Sequence, residues 1–202
     1  MIITDKMRYE KNIIAIIPAK GRSTRLPKKN IYMFMGNPML SWAIEACKQS
    51  KYNIEPWVSS DSREVLDIAV EWGAKPFFRD GSLAVDDVPK QEVIKDAARS
   101  FIKSKKEVDA FISLQPNSPQ VCGSDLDKGL DELFFSVKGE AMYEIFSVDR
   151  NLHMNAVYRM FRQHYLDHLG WSVHAGVVIC EREDIHTKED VDALELKIKN
   201  MC

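Results

Sequence analysis

Cysteine is scarce in this chain: four residues in 202, at 47, 122, 180 and 202, with no C-x-x-C pair. That spacing excludes a disulfide framework or a zinc knuckle and predicts reduced thiols in a cytoplasmic setting. No apolar run approaches the roughly 20 residues that a membrane-crossing helix requires. The amino-terminal MIITDKMRYEKN holds no apolar core ahead of a small-residue cleavage site, so neither a secretory leader nor a membrane partner is expected. Neither sign of charge dominates. Lys and Arg total 28 against 30 Asp and Glu, a net charge of -2, and the broad basic footprint of a nucleic-acid binder is missing. Low-complexity segments and internal repeats are absent. So are G-x-x-x-x-G-K-[ST], G-x-G-x-x-G, H-E-x-x-H and G-x-S-x-G, which removes the usual P-loop, dinucleotide, metalloprotease and serine-nucleophile readings.

What remains is an ordinary globular composition, 45% apolar, at a length that suits one domain spanning residues 1–202. Ile13 to Ile17 is a short apolar run ended by Pro18, the pattern of a strand buried on both faces. Pro38 opens a helix with Leu40, Ile44 and Cys47 on one face. Ile54 to Val58 reads as a second strand, in which Pro56 predicts an edge or a bulge. Helices are predicted over 62–72, ended by Gly73, over 91–103, over 124–135 with Ser124 as cap, and after Thr187 with Val191, Leu194 and Ile198 inward. Residues 110–114, 142–148 and 173–180 complete the strands. Strand and helix alternate, which predicts an α/β fold: a mainly parallel sheet with helices on both faces. Residues 149–172 break the rhythm. Val157, Met160 and Phe161 have helical spacing there, and the segment reads as an inserted excursion carrying a dimer contact, or as a surface helix of the same domain.

Open α/β sheets hold ligands beyond the carboxyl ends of their strands, so the segment after the first strand is the leading candidate for chemistry. It runs Lys20-Gly21-Arg22-Ser23-Thr24-Arg25-Leu26-Pro27-Lys28-Lys29-Asn30 and concentrates cations in a chain that is otherwise slightly acidic. Lysine point charges, arginine forks, hydroxyls and loop N–H groups together suit a polyphosphate. The histidines at 153, 164, 168 and 174 form no ligand spacing, although His164 and His168 are four residues apart.

IIPAKGRSTRLPKKN closely resembles the signature loop of the CMP-acid-sugar synthetases, the cytidylyltransferases that activate sialic acids and 3-deoxy-manno-octulosonate. The sialate branch reads I-P-A-R-G-G-S-K-x-x-P-x-K-N and the octulosonate branch I-P-A-R-x-x-S-T-R-L-P-x-K; this chain carries elements of both, with Lys20 where the family has arginine. The similarity continues in order: Trp57-Val58-Ser59-Ser60-Asp61 resembles V-S-T-D; Arg79, Leu83-Ala84 and Asp86-Asp87 resemble R-P-x-x-L-A-x-D; Leu114 to Pro119 resembles L-Q-P-T-S-P; and Asp184 to Asp190 resembles D-I-D-T-x-x-D.

The resemblance implies a nucleotide-diphospho-sugar-transferase-like (Rossmann-like) fold and transfer of CMP from CTP to an acid sugar with release of pyrophosphate. Lys20, Ser23, Arg25 and Lys29 would hold the triphosphate. Asn30, Ser60, Asp61 and Arg79 would line the nucleotide pocket, and Gln115, Asn117 and Ser118 would face the sugar. Asp184 and His186 occupy the positions of the family's two metal-binding aspartates, so the implied cofactor is Mg2+, with Mn2+ as the alternative because imidazole suits later metals. His186 also reads as a polar residue ahead of the helix cap. The implied partners are CTP, the acid sugar and a second copy of the chain. Two rival readings stand: a relative with another acceptor or nucleotide (octulosonate, a phosphonate, a sugar phosphate), and a catalytically impaired nucleotide-binding homologue.

Overall fold

A computed structural model describes residues 4–84, 88–104, 107–136, 142–168 and 173–200. The apolar run is the first strand, β1 (Asn12–Pro18), and Ile13 to Ile17 are all buried. It pairs in parallel with β4 (Asn53–Ser60) on one side and with β6 (Ala110–Leu114) on the other. A centre flanked on both sides and covered on both faces leaves no solvent side for a polar alternation, which explains the unbroken apolar sequence. Beyond β4 lies β5 (Lys75–Phe78), also parallel. Between β1 and β4, two short strands, β2 (Met33–Phe34) and β3 (Asn37–Pro38), form a small hairpin. Its turn is Met35-Gly36, both at positive φ.

Pro56 does not mark an edge. β4 is an inner strand, but β5 begins opposite Trp57, so β4 has no partner on that side at Pro56 and its missing N–H goes unmissed.

Residues 149–172 are not an excursion. Met154–Arg162 form β8, which runs antiparallel between β6 and β7 (Glu144–Val148); β9 (Ala175–Ile179) then pairs in parallel with β7 as the outermost strand. The seven-stranded order is β5-β4-β1-β6-β8-β7-β9. Val157, Tyr158, Met160, Phe161 and Tyr165 are buried inside the monomer, so they supply no free apolar surface for a dimer. The helical spacing of positions 157, 160 and 161 has a strand explanation. Met160 and Tyr158 face one helical layer, Phe161 faces the other, and Ala156 at φ +55° marks the irregularity in pairing near the start of the strand. Trp171 lies outside the described residues, as do Asp86, Asp87 and Cys202. His164, on a short 3-10 turn (Gln163–Tyr165), meets Tyr143 edge-on at 4.9 Å, and His168, just beyond that turn, stacks on Tyr165 at 4.5 Å.

Helices cover both faces. α2 (Met39–Gln49), α3 (Arg63–Glu71) and α5 (Gly123–Phe135) pack on one, and α4 (Lys90–Lys103) packs on the other against Ile14, Ile16, Phe111 and Phe161. Gly73 follows α3 at φ +82°, as its C′ position requires. Ser124 is not the cap of α5. Cys122 precedes the helix and donates its N–H to the Asp125 carboxylate at 3.1 Å, so the acid three residues into the motif satisfies the free donor. The short α1 (Asp5–Tyr9) is held to α5 by a two-pronged ion pair from Arg8 to Asp131. The last helix, α6 (Lys188–Lys199), starts at Thr187, whose hydroxyl accepts from the Asp190 N–H at 3.3 Å. It buries Val191 and Leu194 against Leu26, Phe34, Met39 and Ile185.

Candidate active site

A cavity of about 390 Å³ opens where β1 and β6 end. Lys20, Ser23, Arg25, Lys29, Asn30, Arg79, Gln115 and Asn117 all line it. The fold thus gathers onto one surface residues that are up to 97 positions apart in sequence, from the turn after β1, the end of β5 and the turn after β6.

The loop after β1 is held in shape by its own residues. The Asp61 carboxylate accepts from the Gly21 N–H at 2.9 Å. The Asn30 amide donates to the Lys20 carbonyl at 2.8 Å, bridging the loop's two ends. Gly21 approaches α3 so closely that a Cβ there would lie 2.5 Å from Ser62 Cβ. Lys28 sits at φ +54° and swings its ammonium out to Glu64 at 2.7 Å, while its neighbour Lys29 turns inward. Leu26 anchors the loop in the small apolar cluster under α6. Ser60 and Asp61 do not line the cavity. Ser60 is fully buried with its hydroxyl accepting from the Ser62 N–H at 3.0 Å, so both residues shape the loop.

The walls carry several cations: Lys20, Arg25, Lys29, Arg79 and Lys90. Burial lowers the Lys29 pKa, nearby Arg25 and Lys20 lower it further, and Asp184 and Asp190 oppose them. Arg79 is 4% exposed, yet its Nε and Nη1 have no hydrogen-bond partner among the described residues. Burial depresses its pKa too, against the fields of Asp61 and Asp96. The neighbouring Asp80 does not pair with it; that carboxylate accepts from the Ser82 N–H at 2.8 Å. A buried guanidinium with free donors in a cavity wall is a receptor for an anion or a carbonyl-rich ligand.

The turn after β6 and the segment before α6 are tied together. Asn117 Nδ2 donates to the Ile185 carbonyl at 3.2 Å, and the Ile185 N–H donates to the Asn117 carbonyl at 2.8 Å. The Ser118 hydroxyl donates to Asp184 Oδ1. Ser118 therefore orients Asp184, while Gln115 and Asn117 line the cavity.

His186 faces Arg25. Its Nδ1 lies 3.1 Å from Arg25 Nη2. Arginine can only donate, so Nδ1 accepts and the ring proton sits on Nε2. No ring lone pair is then left for a metal, and in this arrangement His186 is Arg25's acceptor rather than the second metal ligand. Burial together with Lys29 and Arg25 lowers the His186 pKa, keeping the ring neutral. Among the described residues no group of three or more His, Cys, Asp and Glu is placed to hold a metal ion. The lone carboxylate of Asp184 does fit Mg2+, which commonly uses one or two carboxylates and completes its shell with substrate phosphates and water.

Lys90 is a wall residue that sequence reading missed. The available signal was a lysine directly after Pro89 at the start of a helix, where an acid is expected.

The sequence profile of the family described as Cytidylyltransferase matches residues 14–168. The chain belongs to this family. It is 30% identical over 160 residues to a pseudaminic acid cytidylyltransferase of Campylobacter jejuni, covering 75% of this chain and 68% of that one. Over 114 residues it is 35% identical to N-acylneuraminate cytidylyltransferase A of Danio rerio, covering 56% of this chain but 26% of the relative. Among solved structures, a CMP:2-keto-3-deoxy-manno-octonic acid synthetase complexed with CTP superposes with a TM-score of 0.73 at 16% identity, over 95% of this chain and all of the other. The fold is therefore that of a nucleotidyltransferase, as the loop motif implies. No helix among the described residues is long and apolar enough to cross a membrane.

Proposed function

We propose that this cytidylyltransferase transfers CMP from CTP to a sialic-acid-like acid sugar and releases pyrophosphate. One observation carries the reading: the cation-rich loop after β1, the buried Arg79, whose Nε and Nη1 have no partner among the described residues, and the amide wall of Gln115 and Asn117 line a single cavity. The acceptor hydroxyl oxygen forms a bond to the α-phosphorus, the bond to the bridging oxygen breaks, and the hydroxyl proton passes to solvent. Charge gathers on the departing pyrophosphate, and fixed cations stabilise charge that develops in the transition state most effectively in a site shielded from water. Lys20, Arg25 and Lys29 serve this role, with Ser23 donating a hydroxyl and Asn30 holding the loop. Arg79 fits the cytidine side. Gln115 and Asn117 offer the donors and acceptors a polyol needs.

Mg2+ is the proposed cofactor, with Asp184 as its protein ligand, oriented by Ser118. When bound it supplies Lewis-acid charge neutralisation at the phosphates. Free thiols at Cys47, Cys122 and Cys180 support a reducing, cytoplasmic setting.

A homodimer remains proposed, on a different surface from the one expected from sequence. β9 is an outer strand whose Val177 and Ile179 are exposed, Ile179 in register with exposed Met154 across β7, and such an edge favours a partner. A monomer by light scattering at tens of micromolar protein overturns this.

The test of the activity is pyrophosphate release with each of four NTPs against a panel of acid sugars, with Mg2+ and with Mn2+. Turnover with CTP and an acid sugar is expected. CTP binding without any turnover favours the impaired homologue, and turnover with a sugar phosphate alone favours the relative with another acceptor.

A further inference from the structure

Lys90 is placed against two physical expectations. It opens α4, and the first turn of a helix presents free N–H groups and the positive end of the helix dipole, which favour an anion and disfavour an ammonium. Its side chain is also half-buried, and no hydrogen bond or ion pair joins it to a described residue. Burial lowers its pKa, and only the field of Asp184 acts the other way. Such a side chain is stabilised by a bound anion.

Its position selects which anion. Lys90 lines the polar cavity together with Arg79 and the loop after β1. It also lines a second, largely apolar cavity of about 190 Å³, walled by Ile94, Ser113, Phe146, Met154 and Phe161. The other cation lining that second cavity is already committed: Arg159 donates to Glu144 at 2.6 Å and to Gln91, and its guanidinium lies 5.2 Å from the Phe146 ring centroid. Lys90 is the lysine shared by the two spaces. A triphosphate has nothing to place in an apolar cavity. A sugar acid bearing an acyl substituent has both parts, a carboxylate and an apolar group.

We propose that Lys90 receives the carboxylate of the acceptor and that the adjoining apolar cavity takes an apolar substituent of the same molecule. The proposal rests on the acid-sugar reading above and names what selects the acceptor. Lys90 binds and positions the acid, and the chemistry at phosphorus stays with the loop cations.

The experiment uses the full chain and two probes, N-acetylneuraminate, which carries an acyl group, and 3-deoxy-manno-octulosonate, which does not. Acid binding is read by ligand-observed NMR as well as by KM, and CTP binding by calorimetry. For Lys90→Met we expect both acids to bind about tenfold or more weakly, CTP affinity to hold, and Lys90→Arg to restore most of the acid binding. For Ser113→Leu, which fills the apolar cavity, we expect weaker binding of N-acetylneuraminate alone. Unchanged acid binding in Lys90→Met overturns the proposal while leaving the acid-sugar reading intact. A loss of CTP affinity with acid binding preserved assigns Lys90 to the triphosphate and overturns it as well. Failure of the wild-type chain to bind either acid overturns both. A loss of fold in Lys90→Met, read from its melting curve, moves the decision to Lys90→Arg and Ser113→Leu: acid binding unchanged in both overturns the proposal.

Discussion

Replacing Arg79 by methionine separates a ligand-binding residue from a structural one, because the two roles predict opposite changes in stability. Methionine keeps the buried apolar stem and removes the guanidinium. In the ligand-free protein the residue is 4% exposed, and its Nε and Nη1 have no hydrogen-bond partner among the described residues. An unsatisfied buried polar group costs about 1–3 kcal/mol, and more when charged. The fields of Asp61 and Asp96 offset part of this. Removing the charge should therefore leave the ligand-free melting temperature unchanged or raise it, by roughly 2–4 °C for each kcal/mol recovered. Nucleotide binding should move the other way. One charge-assisted contact contributes about 1.5–3 kcal/mol, so CTP should bind about 10- to 150-fold more weakly. Scanning calorimetry without nucleotide gives the first quantity and isothermal titration with CTP the second. A variant that melts several degrees lower and binds CTP as tightly as before would refute the reasoning and make Arg79 part of the scaffold.

The other expectations are briefer. Lys29→Ala should weaken CTP binding by about 10- to 150-fold in calorimetry, since the ammonium is partly desolvated and faces the cavity; an unchanged affinity removes it from the triphosphate site. Gly123→Ala should destabilise by about 1–3 kcal/mol, because the new Cβ would lie 2.5 Å from the backbone carbon of Gln49 at the contact of α2 with α5; a melting temperature equal to wild type contradicts this. Asp190→Ala should cost about 0.5–2 kcal/mol by removing the reciprocal cap of α6, in which the carboxylate accepts from the N–H groups of His186 and Thr187, both at 2.8 Å. Those bonds hold the Asp190 pKa below its ordinary value. Its contribution is thus complete above about pH 4 and disappears as pH falls through the lowered folded value, so the melting curves of wild type and variant should converge in acid; a gap that stays constant there counts against the assignment.

Much of this was legible in the sequence, for reasons that differ by element. β1 announced itself because a strand covered on both faces has no polar side to interrupt five apolar residues. The loop after it was legible because five basic residues within ten positions of an otherwise balanced chain have few structural reasons to cluster. The Thr187-x-x-Asp190 pair was readable because a cap is local. β8 was not. It is a central strand with side chains buried on both faces, so its apolar positions 157, 158, 160 and 161 come in pairs and imitate a helix. Its two arginines add to the disguise: Arg159 is neutralised by Glu144, and Arg162 donates to the carbonyls of Leu133 and Met142. Those partners are set by strand order, which no local pattern encodes. Position 186 was left open between two readings for a similar reason. Whether an imidazole binds a metal or accepts from a neighbouring arginine depends on a residue 161 positions away.

That long separation has a consequence for synthesis. The contacts that finish the site join Arg25 to His186 and Asn117 to Ile185. The ribosome makes the basic loop well before the segment that supports it. Until residues 184–194 emerge and α6 seats on Leu26, a nascent chain carries a basic loop with no closing partner. On the proposed function, nucleotide capture therefore waits for residues 184–194. CTP protection against proteolysis should appear only in chains extended past α6, which makes ligand binding a reporter of α6 docking.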